Sequence, residues 1–549
     1  MLAGVSFAHA PSPNPQAPGR TSQAALGRVV FPNSGSSAAQ SDFLRGVAWL
    51  HSFMYEDAID AFRDAQKADP SFALAYWGEA MSFSQPLWFF EEVPQAQATL
   101  AKLAPTPDAR VAKAKTPREQ GFMRAVEALF GPGDKGARHA AYAGLMSKLA
   151  ADHPADDEAQ TFYALALLAT MPRGDNALPI RQRAGAIAET VFKRNPYHPG
   201  AAHYLLHAYD HGSLAGSALP VARAYAKIAP AASHALHMPA HTFLQLGFWD
   251  EAAASDEASW NASIAWAKRR GLPITSRDYH SLAWLQYEWT QQGRFSKTKE
   301  AIALVDAAMK SGPGNRDPGA GKTLSPLHAG GHGYGEQSEI GRGSGEAALR
   351  NDRGSMRARY IIESERWAEM KGQTTFDNIE ELFALGLSAV NLRDAARLQA
   401  VIGEFRKAAA PGQPPELREQ AEIMLRQAEA LNQFARGQHQ AAFAVLDHAA
   451  SLQARMPKPI GRPFPVLDVN ELCGDLLLQV GRNREAVGRF DRVLARTPNR
   501  SRALLGLARA YRNAGNAVNA RAAYKRFLTN YRFADPGLPE VAEAREAVR

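Results

Sequence analysis

An all-α solenoid of repeated helical hairpins is the fold class this sequence predicts, and three observations carry the prediction. The first is a recurrent interval of 34 residues, which separates Pro196 from Pro230, Ala218 from Ala252, Tyr209 from Phe243, Gly481 from Gly515 and Ala486 from Ala520. The second is local likeness among Phe53-Met-Tyr-Glu-Asp-Ala58, Gly247-Phe-Trp-Asp-Glu-Ala252 and Gly481-Arg-Asn-Arg-Glu-Ala486. The third is patterning. Each unit reads as two amphipathic helices with a small residue where they cross and a proline closing the second, and strand signals are essentially absent. One such unit cannot bury its apolar face alone, so the units must stack.

Composition agrees. The 549 residues are 46% hydrophobic and 21% charged, which excludes a largely disordered chain. The absence of any long uncharged apolar run excludes a multi-span membrane protein. The one cysteine, Cys473, excludes a disulfide framework and any multi-thiolate metal site. The formal charge of +8 is local. Between Arg482 and Arg532 there are 13 Lys+Arg and two acids, while the other 498 residues carry 50 basic and 53 acidic groups.

In chain order, residues 1–27 read as a leader or a plain tail. The first ten are apolar and end in Ala8-His9-Ala10, an A-x-A-like pattern, and Pro11, Pro13, Pro15 and Pro18 then forbid a helix. A trimmed export signal implies a periplasmic protein, a plain tail a cytoplasmic one. Residues 28–310 read as the first solenoid segment. Residues 311–345 hold eleven glycines with Pro313, Pro318 and Pro326, and read as a glycine-rich insertion. Within it Gly319-Ala-Gly-Lys-Thr323 imitates a phosphate-binding loop, but Arg316 stands where the motif needs glycine and no strand precedes it. No nucleotide or organic cofactor motif remains. Residues 346–536 read as further repeats and 537–549 as a capping helix.

A helix–turn–helix period of 34 is the tetratricopeptide signature, which predicts a right-handed superhelix with a concave groove. Several segments go further: Gly46-Val-Ala-Trp-Leu-His51-Ser-Phe, Ala75-Tyr-Trp77-Gly78-Glu-Ala-Met, His198-Pro-Gly-Ala-Ala-His203-Tyr-Leu-Leu-His207-Ala-Tyr-Asp210, His234-Ala-Leu-His237-Met-Pro239-Ala-His241-Thr-Phe and Glu471-Leu-Cys-Gly474. Together they resemble a bacterial family of tetratricopeptide proteins over most of residues 28–535. The resemblance implies the fold and marks the histidine segments. It implies no reaction.

Histidine is 16 residues of the chain, yet six of them fall between 203 and 241: His203, His207, His211, His234, His237 and His241. His203 and His237 are one repeat apart, as are His207 and His241, and within each pair the i, i+4 spacing puts both rings on one helix face. These are positions 5 and 9 of the first helix of a repeat, which the resemblance implies face the groove. His234 and His280 take position 2 of their repeats, while Asp210 and His211 follow His207 on the same side. Pro239 between the paired histidines either removes a helix hydrogen bond or starts a new helix.

Paired imidazoles without a thiolate suit zinc, copper, iron or nickel. The expected metal ligands are His203, His207, His237, His241 and His280, with His211, His234 and Asp210 as supporting or alternative ligands. Asp210 and Glu471 are the candidates for acid–base chemistry on a small molecule, Glu471 by approaching the histidines across a tight superhelix. The alternative is an interaction scaffold: Arg502, Arg509 and Arg512 take groove-facing positions and are suited to grip an acidic peptide or another anion. The basic block attracts phosphate in general, but no nucleic-acid reading module accompanies it. A helical core reading of the same histidines, bonding across helices to set repeat curvature, needs no ligand at all.

Overall fold

The computed structural model describes residues 23–88, 90–172, 177–311, 346–458 and 460–549. Most of the N-terminal segment and the glycine-rich insertion with its Gly319–Thr323 stretch lie outside the described residues. Within them the chain is an α-solenoid: 25 α-helices follow one another as antiparallel neighbours, and the only sheet among the described residues pairs Ser84–Gln85 with Phe90–Glu91.

The repeat has a physical basis that recurs at both ends of the chain. Phe62, on helix Tyr55–Ala68, is fully buried between two glycines on the helices either side. A β-carbon at Gly46 would stand 2.8 Å from its ring, and one at Gly78 2.2 Å. Phe490, on Asn483–Arg496, lies in the same way between Gly474 and Gly506, at 2.7 and 2.4 Å. One large ring in the second helix thus seats against small residues of two successive first helices, which is the crossing the sequence pattern predicts. Gly247, Gly481 and Gly515 all adopt positive φ, reversing the chain between the two helices of a hairpin where a side chain would be strained.

The solenoid also folds back on itself. The indole of Trp266 donates to Asp57 at 2.6 Å, and Arg270 adds ion pairs to Asp57 and Asp60. Further on, the Trp249 indole donates to the Asn499 carbonyl at 2.8 Å, and the Ser501 hydroxyl donates to the Gln291 carbonyl at 2.6 Å. The first hairpin and the last repeats therefore both pack on the middle of the chain.

The middle-to-last junction is held by a buried ion cluster. Arg500 donates to Glu471 at 2.5 Å, to Glu363 at 2.6 Å and to the Tyr287 hydroxyl at 3.3 Å. This is where the structure places Glu471: with guanidiniums, not with imidazoles. Burial raises its pKa while Arg500 lowers it. Arg502 donates to Glu365 and Asp475 and pairs with Glu471, while Arg509 and Arg512 both pair with Glu543 of helix Pro539–Val548. The three arginines expected to meet an external anion thus meet carboxylates of their own chain. Repeat register placed them on the correct helices, but carboxylates distant in sequence cannot be read from a register. Replacing Arg500 with Met strips Glu363 of its guanidinium in a water-excluded setting. It is expected to cost about 3–5 kcal/mol in chemical denaturation, and a loss under about 1 kcal/mol would contradict the role assigned.

Candidate metal centres

Helix Pro199–Tyr209 begins at Pro199, whose missing N–H costs nothing in a first turn. Its His203 and His207 are one turn apart. Helix Ser233–Leu246 runs unbroken through Pro239, so the proline neither ends nor restarts it. Hydroxyls of the following helix, Ser259 and Ser255, donate to the carbonyls of Ser233 and Leu236. Helix Tyr279–Gln291 brings His280 in its first turn.

These three helices sort six imidazoles into two groups with one design. His203 and His207 join His234 from the start of the next first helix, and His237 and His241 join His280 from the start of the one after. In each group the ligand atoms lie within 4.8 Å of one another, close enough to hold a metal ion. The groups adjoin: ring centroids of His234 and His237 are 6.1 Å apart, and those of His207 and His241 6.4 Å. Five of the expected ligands are thereby brought together, and His234 rises from a supporting position to full membership. His211 lies beyond the helix, its Nδ1 2.8 Å from the Ser213 hydroxyl, and belongs to neither group.

All six rings are buried. The groove is covered here, because the first hairpin folds over it. Phe53 stands with its ring centroid 4.3 Å from His203 and 5.6 Å from both His207 and His234, and Trp88 packs edge-on against His234. Trp284 closes the second group, 4.4 Å from His241 and 5.0 Å from His237. Burial lowers the pKa of His207, and the neighbouring imidazoles lower it further. Burial likewise lowers His237 and His241. These three rings are therefore neutral at pH 7, the protonation state in which imidazole binds metal.

The hydrogen bonds around the second group fix which nitrogen carries the proton. His241 Nδ1 donates to Asp210 at 2.8 Å, and the other oxygen of Asp210 accepts from Gln245 at 2.5 Å. His237 Nδ1 donates to Asp256 at 2.6 Å. Asp256 and Glu288 are both raised by burial, and the hydrogen bond between them lowers Asp256 and raises Glu288. With both Nδ1–H groups committed, the Nε2 lone pairs of His237 and His241 face each other 3.0 Å apart. Two bare lone pairs at that distance repel, so either a proton or a metal ion lies between them. Ligands bonded at about 2.1 Å stand about 3 Å apart at right angles and about 3.4 Å apart in the tetrahedral geometry zinc takes, so the pair is within reach of one ion. The first group repeats the motif on one ring: His203 Nδ1 donates to the His51 carbonyl at 2.5 Å, and its Nε2 faces His234 Nε2 at 3.0 Å. Asp210, expected as an acid–base candidate or a ligand, orients an imidazole instead.

A third group, His51, Glu158 and His198, also has ligand-like spacing, yet its bonding is different. His198 Nδ1 accepts from the Ala201 N–H at 3.1 Å, which puts the proton on Nε2, facing Glu158 at 3.2 Å. His51 Nε2 lies 2.7 Å from Glu158, and its Nδ1 lies 3.0 Å from the Tyr204 hydroxyl. Here the ring nitrogens point inward at a carboxylate that His51 hydrogen-bonds and His198 approaches at 3.2 Å, so a carboxylate already fills the space between the two rings.

Sequence reasoning missed Asp256, Glu288, Glu158, Phe53 and Trp284. One trace of the first was available: Ser255, Asp256, Ser259 and Ser263 form a polar stripe on the buried face of helix Trp249–Arg269, where a simple repeat would place apolar residues.

Residues 474–539 match the family model of the tetratricopeptide repeat. No curated protein matches the chain. Among solved structures, a tetratricopeptide repeat protein from Parabacteroides merdae is 14% identical, covering 58% of this chain and 97% of its own, with a TM-score of 0.26. The Cut9–Hcn1 hetero-tetramer of the APC/C is 10% identical over 94% of this chain and 78% of that one, TM-score 0.30. A human IFIT1 dimer with m7Gppp-AAAA is 14% identical over 91% of each chain, TM-score 0.29. At such identities the likeness extends to helical architecture alone.

Proposed function

We propose that the two histidine triads bind transition-metal ions, one per triad, and that the protein is a metal-binding tetratricopeptide solenoid. The observation that carries this reading is the pair of facing Nε2 atoms 3.0 Å apart in each triad, in the second with both Nδ1–H groups held by carboxylates. Outer hydrogen bonds of this kind orient metal-ligating histidines and raise their basicity. All-imidazole sets suit zinc, copper, iron or nickel. Three nitrogens leave a coordination position free, and a metal so held supplies an activated water or a Lewis acid to a small-molecule substrate. Metal-dependent catalysis is the extension of this reading that such a position favours.

The test is a zinc titration of chelator-treated full-length protein against a competing indicator. Two equivalents are expected at tight affinity, and the His207→Ala, His241→Ala double variant should lose both by at least tenfold. No tight uptake by the parent, or equal uptake by the variant, would sink the reading.

The protein-interaction scaffold is supported by the repeat match over residues 474–539. Its acidic-peptide version would rest on Arg509 and Arg512, which share Glu543 and stay 38% and 48% exposed, more than on Arg502, which pairs with Glu365, Glu471 and Asp475.

A further inference from the structure

A cleft opens on the far side of the second triad from the imidazoles. It is lined by Gln245, Lys458, Gly461, Asp468, Arg496 and Thr497, among others. Two of its walls are shared with the triad. Gln245 is the residue that donates to Asp210, which in turn holds His241. Gly461 lies against Trp284, so closely that a β-carbon there would stand 2.6 Å from the indole. Lys458 lies over Gly212, two residues beyond Asp210.

The charge of the cleft is unbalanced. Neither Lys458 nor Arg496 forms an ion pair among the described residues. Arg496 makes one long hydrogen bond, 3.4 Å, to the Pro457 carbonyl. The only carboxylate of the lining, Asp468, already accepts from the Gln453 side chain at 2.6 Å and from the Asn470 N–H at 2.7 Å. Partial burial lowers the pKa of both cations, and Arg496 lowers Lys458 further. This contrasts with the arginines of the last repeats, which have carboxylates of their own. Two half-buried cations share one carboxylate, Asp468, whose charge acts on Arg496, so the cleft keeps a net positive charge that an oxyanion between them would offset. The enclosed space is about 20 Å³, room for roughly one water. It therefore takes the charged head of a ligand and leaves the body in the open mouth.

We propose that this cleft binds the carboxylate or phosphate head of a small molecule, gripped by Lys458 and Arg496, beside the second triad. The anion site stands on its own charges and does not require metal in the triad. A ligand so anchored is separated from His241 by Gln245 and Asp210, and small organic acids or phosphate esters are the class the cleft takes.

Calorimetric titration with sodium propionate and with sodium phosphate, at constant ionic strength in chloride, tests this on metal-free and on zinc-treated protein. Saturable binding of at least one anion to the metal-free form is expected, and the anion that binds distinguishes carboxylate from phosphate. The Lys458→Met, Arg496→Met variant should bind about tenfold or more weakly, with unchanged circular dichroism. The charge-keeping Lys458→Arg should retain binding. Binding that appears only with zinc, or that survives the double substitution, would overturn the cleft assignment while leaving the metal reading intact. Absence of zinc uptake with anion binding preserved would do the reverse.

Discussion

Asp210→Leu is expected to weaken metal binding at the triad of His237, His241 and His280 by about 10–100-fold, the usual cost of losing a ligand's outer hydrogen bond, and to leave the other triad untouched. With its acceptor gone, the buried Nδ1–H of His241 loses its partner, and the imidazole gains by moving the proton to Nε2, where it bonds to His237 Nε2 3.0 Å away. That tautomer closes the site with a hydrogen bond where a metal should be. Asp210→Asn should give a smaller loss, because its amide oxygen still accepts from Nδ1 if Gln245 turns to match. Zinc titration of both variants, resolving two classes of site, checks the order. Equal affinities in parent and Leu variant would mean that the carboxylate does not set the tautomer.

The second large effect concerns the carboxylate between His51 and His198. Glu158 is fully buried between His51 and His198. Burial by itself raises its pKa, but the two imidazoles outweigh that and bring it down to about 2, from an ordinary 4.5. A carboxylate that holds its proton less tightly when folded than when unfolded stabilises the fold fully above pH 4.5, and loses that contribution as pH falls towards 2. The difference amounts to roughly 3 kcal/mol. Replacing Glu158 with Gln gives the two inward N–H groups an amide that can accept from one and must confront the other with a donor. The expected outcome is a loss of about 3 kcal/mol at pH 7, together with a flatter acid limb between pH 4.5 and 2 in urea denaturation. An unchanged slope there would show that Glu158 is already protonated in the native protein.

The 34-residue interval made the hairpins legible because Phe62 and Phe490 need small residues at fixed offsets on both neighbouring helices, and those offsets are written in the chain. The i, i+4 histidine pairs were legible for the same reason, since helix geometry alone decides that their rings share a face. Membership of the two triads was only half visible. His234 and His280 depend on how far the start of one helix reaches along its predecessor, which the repeat fixes approximately. Asp256, Phe53 and Trp284 depend on packing of the second helices and on the first hairpin folding over the groove. Neither leaves a periodic mark, so the cover over the groove was not legible. The cations of the cleft and the paired arginines of the last repeats look alike in sequence. Only the positions of Glu363, Glu365 and Glu543 separate them.

A stack of hairpins touching only their neighbours melts piecemeal, fraying from its ends like a zipper. The bonds from Trp266 to Asp57, from Trp249 to Asn499 and from Ser501 to Gln291 join residues more than two hundred positions apart, and they tie both termini to the centre. Loss of either terminal repeat would therefore be felt at the histidines, and heat or denaturant should dismantle the molecule with the abruptness of a single globular body.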